Sequence, residues 1–151
     1  MKKWFLGLLA AALLSGCAGN AGNTQTADQI AQALDTQGLT GTVETAAQSR
    51  MQTLIGTPYT YTTETGAQIS VFVYEDADAT QADAACVSAD GFGYNREGAD
   101  GTGYGVQTGW ADAPHFYRKD NIILRYIGSD ADVLTALEAV CGAQFAGSAA
   151  E

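Results

Sequence analysis

Apolar side chains recur along this chain with two different periods, and each change of period marks an element. Thr26-Ala27-Asp28-Gln29 supplies a capping hydroxyl with Gln three residues later, and Ala27, Ile30, Ala31 and Leu34 then share one helical stripe that stops short of Gly38. The spacing predicts a helix over 27–37. A Thr-rich stretch follows in which Val43 is the β-branched aliphatic residue, predicting a strand near 41–47. From Tyr59 the period becomes two: Tyr59-Thr60-Tyr61-Thr62-Thr63 alternates ring and hydroxyl, Glu64-Thr65-Gly66 supplies a turn, and 67–75 is rich in β-formers. This is a hairpin. In its second strand Ile69, Val71 and Val73 point one way and Phe72 and Tyr74 the other, so both faces carry bulk and the strand belongs at the centre of a sheet.

The same order comes twice. Asp78-Ala79-Thr80-Gln81 is a second capping pattern, opening a helix over 79–88 with Ala79, Ala82, Ala85 and Cys86 on one face. Further on, 115–119, a two-residue Asp120-Asn121 turn and 122–127 form another hairpin. It feeds a helix opened by Ser129 or Asp130, whose stripe is Val133, Leu134, Leu137, Val140 and Cys141. Between the two ββα units, 90–105 holds six glycines in sixteen residues, which predicts a long mobile surface loop before a strand resumes over 106–110. The expected fold is therefore α+β: an antiparallel sheet of four to six strands with the two ββα helices on one face, and an additional N-terminal helix over an edge or the other face. It forms a single domain over 27–147, followed by a tail at 148–151. A chain of 151 residues accommodates one such core and not two.

The first residues follow a different logic. Met1-Lys2-Lys3 is a short positive head and Trp4 to Leu14 an apolar run of eleven residues. On a helix that run rises about 16 Å, half of what a permanent membrane span needs, so it reads as a signal peptide over 1–16. Leu14-Ser15-Gly16-Cys17 resembles the bacterial lipobox, in which the cysteine thiol takes diacylglycerol and the leader is cut away in front of it. The resemblance implies that Cys17 becomes the acylated first residue of a protein anchored to a membrane without spanning it. An ordinary cleaved signal with an incidental cysteine is the alternative. Ala18, not Asp, follows Cys17, which in the enteric sorting pattern permits passage to the outer membrane. Residues 18–25 lack apolar periodicity and are expected to act as a flexible tether about 15 Å in root-mean-square length.

Charge and cysteine count then narrow the possibilities. Seventeen acids against seven bases give a net charge of −10, which repels phosphate and argues against nucleic acid as a partner. With Cys17 given to lipid, Cys86 and Cys141 are the two cysteines left in an oxidising compartment, and the even count predicts a disulfide between their helices. A metal held by Cys86, Cys141 and His115 is the alternative use of these side chains, although no C-x-x-C knuckle supports it.

Catalytic and cofactor signatures are few. His115 is the single imidazole and no Ser lies in G-x-S-x-G. In Gly101-Thr102-Gly103-Tyr104-Gly105, Val106 stands where a dinucleotide fingerprint needs its third glycine, so no cofactor is expected. Asp76, Asp78, Thr80 and Asp83 imitate the opening of a calcium loop, but Gln81 and Val87 replace its turn glycine and bidentate acid. Asp90, Asn95, Glu97 and Asp100 could gather a calcium ion without a recognised spacing. Rings cluster in the segment 110–117, where Trp110, His115 and Tyr117 form a candidate binding surface suited to sugars or peptides; the plainer reading of the same rings is packing.

Pro114-His115-Phe116-Tyr117-Arg118, Ile127-Gly128-Ser129-Asp130 and Gly142-Ala143-Gln144-Phe145-Ala146-Gly147 resemble a group of small bacterial lipoproteins of unknown function. The resemblance covers about two thirds of the mature chain and implies an architecture and a place in the cell envelope. It implies no activity and carries over no functional residue. The expected role is a lipid-anchored envelope module that binds a partner protein or glycan without chemistry. The alternatives are a small hydrolase using His115 with Asp112, and a purely structural assembly component.

Overall fold

A computed structural model describes residues 24–49 and 52–148. Its first helix, α1 (Ala27–Thr36), starts where the capping box predicts: Thr26 accepts from the Gln29 backbone and Gln29 answers to the Thr26 backbone. Strand β1 (Gly41–Thr45) follows, then the expected hairpin of β2 (Thr57–Thr63) and β3 (Gln68–Val73), paired from Thr57 opposite Val73 to Thr62 opposite Gln68. Helix α2 (Ala77–Ala84) is capped by Asp76 and not Asp78, so it begins and ends earlier than its alanine stripe suggests. Strands β4 (Gly93–Glu97) and β5 (Gly103–Gln107) come next, then the second hairpin, β6 (Pro114–Lys119) with β7 (Ile122–Ile127). Its two-residue turn places Asp120 in the left-handed region at φ 49°. Helix α3 (Ala131–Cys141), capped by Asp130, and the short strand β8 (Ala146–Gly147) complete the chain.

Six strands form one antiparallel sheet in the order β1-β2-β3-β7-β6-β8, while β4 and β5 pair only with each other. The fold is α+β, and β3 lies inside the sheet with bulk on both faces. Period-two alternation sorts the side chains into two cores. On one face Tyr61, Ile69, Val71, Leu124 and Tyr126 meet Ile30 and Leu34 of α1 and Val133, Leu137 and Val140 of α3. On the other, Phe72, Ile123 and Phe116 meet Ala84 of α2, Tyr94 of β4 and Leu54. Among the described residues no helix is long and apolar enough to cross a membrane.

Four expectations change here. The two ββα helices do not share a face: α3 packs beside α1, and α2 lies across the sheet from both, because its few buried groups complement the Phe72–Phe116 side. Cys86 and Cys141 consequently lie in different cores and are free thiols. A disulfide needs Cα atoms roughly 4.4–6.8 Å apart, which an intervening sheet forbids. The glycine-rich segment 90–105 is not a long loop; it contains β4 and most of β5, a hairpin whose backbone bonds do what its scarce apolar side chains cannot. Finally, the domain-side end of the tether is held: the Gln25 backbone donates to Asn121 Oδ1 at 2.6 Å, and its side chain to Asp120 at 2.8 Å. Cys17 and tether residues 18–23 lie outside the described residues.

Candidate functional site

The sheet face under α2 is only partly covered, and the exposed remainder carries its charge. Register aligns Glu44, Thr60, Ser70 and Arg125 in one row across β1, β2, β3 and β7. Arg125 interrupts the otherwise apolar strand Ile122–Ile127, and its neighbours Leu124 and Tyr126 face the opposite core. Its guanidinium lies over the Phe72 ring at 5.3 Å and the Trp110 ring at 5.0 Å from the centroids. Nη2 donates to Ser70 Oγ at 3.1 Å, and Nε is buried with no hydrogen-bond partner. Burial pushes this guanidinium below the ordinary arginine range.

Trp110 is fixed by its indole N–H, which donates to the Gly91 carbonyl at 2.8 Å. Together with Thr60, Ser70, Phe72 and Thr108 these groups line a groove of about 400 Å³ bounded on its far side by the chain between β1 and β2. That volume falls in the range of small-ligand sites.

Beside the groove, on the same face, lies a closed polar knot. Asp83 of α2 is fully buried, and its carboxylate accepts from Tyr74 Oη at 2.6 Å, Tyr94 Oη at 2.5 Å, the Ile55 backbone at 2.8 Å and Arg96 at 2.5 Å. Gly56 lets this loop come close, since a Cβ there would meet the Tyr74 ring at 2.8 Å. Burial first, then the Asp83 hydrogen bond, holds the Tyr74 and Tyr94 hydroxyls well above their ordinary range. Every strong acceptor direction of Asp83 is used within the protein, so the knot is structural.

The expected cluster of Trp110, His115 and Tyr117 is split by the sheet. Trp110 packs with Phe116 on the groove side, while His115 and Tyr117 point to the α3 side. They line a second cavity of about 610 Å³ with Asp112, Ser129, Leu134 and Glu138. His115 is only 2 % exposed. Its Nδ1 donates to Gln144 Oε1 at 2.8 Å, its ring stacks on Tyr126, and Nε2 is buried without a partner. The Asp112 carboxylate accepts from the adjacent Ala113 backbone. No hydroxyl among the described residues is hydrogen-bonded to the imidazole, although Ser129 and Ser148 line the same cavity.

The other sequence candidates also separate. Cys86 lies across the sheet from Cys141 and His115, so these three cannot share a metal, and no group of three His, Cys, Asp or Glu among the described residues could hold one. Asp90 caps a turn at one end of the β4–β5 hairpin and Asp100 a turn at the other, which leaves no common calcium centre. Burial raises the Cys141 thiol to about 12, against a lesser opposing pull from Lys119. Arg125, Ser70 and Phe72 were missed as site residues, though one signal was legible: a single cation in the middle of a strand of isoleucine, leucine and tyrosine.

A family model of the prokaryotic membrane lipoprotein lipid attachment site matches residues 1–18, a span that contains Cys17. No curated protein and no solved structure matches the chain. The chain is a lipid-anchored bacterial lipoprotein of the cell envelope.

Proposed function

We propose that the folded domain is a non-catalytic binding module, tied to the membrane through Cys17, which takes its ligand in the groove between Trp110 and Arg125. The observation that carries this reading is the guanidinium lining the groove: a charged group 5.3 Å and 5.0 Å from two ring centroids, whose hydrogen bond within the protein is to a single serine hydroxyl. Ala18 after Cys17 supports placement at the outer membrane. Gln25 docks on the β6–β7 turn, so seven residues, or eight Cα-to-Cα steps, separate the anchor from that end of the sheet, and the domain hangs within about 28 Å of the lipid surface. An envelope glycan or the peptide of an envelope protein is within reach there.

The hydrogen bonds around His115 favour the binding reading over the hydrolase alternative. Asp112 and His115 share a cavity, but the imidazole is oriented by an amide, its second nitrogen meets no nucleophile, and the acid is turned to the backbone.

The mature chain offers a built-in reporter. Trp4 leaves with the leader, so Trp110 is its single tryptophan. Soluble fragments of a bacterial cell-wall digest, titrated into the purified acylated protein in detergent, are expected to alter Trp110 emission saturably. Emission that stays constant while the His115 proton resonances shift would move the binding site to the other face and overturn the proposal.

A further inference from the structure

We infer that the groove recognises a singly charged carboxylate carried on a planar or apolar body, with Arg125 as its counter-ion. This rests on the groove being the binding site and adds the chemistry of what enters it.

The first support is the absence of an internal partner. A guanidinium carries five N–H donors, and here one nitrogen meets Ser70 while another is buried and unmet. The ion pair recorded among the described residues is Arg96 with Asp83, which is closed on itself. Along the polar row the next acid is Glu44, three strands from Arg125, hence about 14 Å away at ordinary strand spacing, and it is exposed. A cation therefore sits half-buried on a protein of net charge −10 without using any of that surplus acid.

The second support is shape. The guanidinium carbon lies 5.3 Å from the Phe72 centroid and 5.0 Å from the Trp110 centroid, so an acceptor that engages its N–H groups brings the rest of the ligand against these rings. A carboxylate matches a guanidinium edge with two parallel N–H···O contacts, whereas an ammonium in place of Arg125 would offer only a point charge. The rings then give a planar or apolar body something to lie against, and Thr60 and Thr108 supply hydroxyls for its polar substituents.

The third support is charge balance. One guanidinium neutralises one negative charge. A phosphate monoester brings about −1.5 to −2 at neutral pH, leaving an excess to be repelled by the surrounding acid.

The test compares benzoate, benzamide and phenyl phosphate by Trp110 emission on the mature acylated protein. Benzoate is expected to bind about tenfold or more tightly than its neutral amide, because a charged acceptor strengthens each contact to the guanidinium. It is also expected to outbind phenyl phosphate. Arg125→Gln should bring benzoate down to the benzamide level, and Arg125→Lys should lose most of the preference. The benzoate and benzamide comparison decides on the native protein even if a variant does not fold. Equal binding of acid and amide, tighter binding of phenyl phosphate, or no response to benzoate each overturns the carboxylate assignment. In any of those cases a response to cell-wall fragments would leave the groove itself standing as the binding site.

Discussion

The two faces of the main sheet are built on different physics. Under α1 and α3, Ile69, Leu124, Val133 and Leu137 are fully enclosed, and stability comes from apolar area removed from water. Under α2 and the β4–β5 hairpin, the enclosed groups include a carboxylate, two phenols and a guanidinium edge, and stability depends on each polar atom finding its partner. The helical face is covered by two helices of ten and eleven residues, with a cavity beside α3 around His115 and Tyr117. The other has one helix of eight residues, which leaves the β2–β3–β7 stretch open as a groove. A small domain thus covers one face with two helices and leaves part of the other open.

The sharpest way to break that contrast is Asp83→Ala. It strands Tyr74, Tyr94 and the Ile55 amide, and is expected to cost about 4 kcal/mol in urea unfolding, since removing one partner from a buried network exposes the rest to full desolvation cost. A loss below about 1 kcal/mol would show that the knot relaxes freely. Leu137→Ala on the helical face should cost about 3 kcal/mol by leaving a void in its core, while the Trp110 response to ligand stays unchanged.

Alkaline pH should weaken both faces next. Tyr61, Tyr74 and Tyr94 all titrate above the ordinary value of 10.0, chiefly because of burial. In the unfolded chain they ionise near that value, so their contribution is intact below pH 10 and shrinks as pH climbs beyond it. Each costs at most about 1.4 kcal/mol per pH unit there. Urea midpoints compared at pH 9 and pH 11 should fall, and Tyr74→Phe should make the fall shallower.

Smaller still is Thr26→Ala, which removes the α1 capping box at a cost of about 1 kcal/mol and leaves the groove untouched. The smallest expected effect is none: reductant should not move the unfolding midpoint, because Cys86 and Cys141 are unlinked. Under native conditions at pH 8, iodoacetamide should scarcely label Cys141, whose thiol is raised to about 12.

Much of this was legible locally. Thr26 with Gln29, and Asp130 before a leucine and valine stripe, announce helix starts because a capping side chain bonds backbone within three residues. The alternation around Val71 announces an interior strand. The β4–β5 hairpin stayed hidden since Gly93, Gly103 and Gly105 supply no side-chain period to read. The sidedness of α2 was equally silent, for an alanine stripe fits either face. Trp110 lines the groove, but His115 and Tyr117, its neighbours in sequence, lie across the sheet from it, because the bend at 111–112 carries the chain into β6 and strand alternation then turns both side chains to the α3 side.

What the sequence determined on its own were the lipoprotein attachment site, the β2–β3 and β6–β7 hairpins, the caps of α1 and α3 and the acidity, each a matter of groups within a few residues of one another. The tertiary structure alone decided which helix took which face and what surrounds Arg125. Ser70 and Arg125 are 55 positions apart and meet because β3 pairs with β7; Trp110 joins them because its indole reaches back to Gly91. Such encounters are set by strand order and by which surface buries best, free-energy differences summed over the whole chain and written in no single stretch of it.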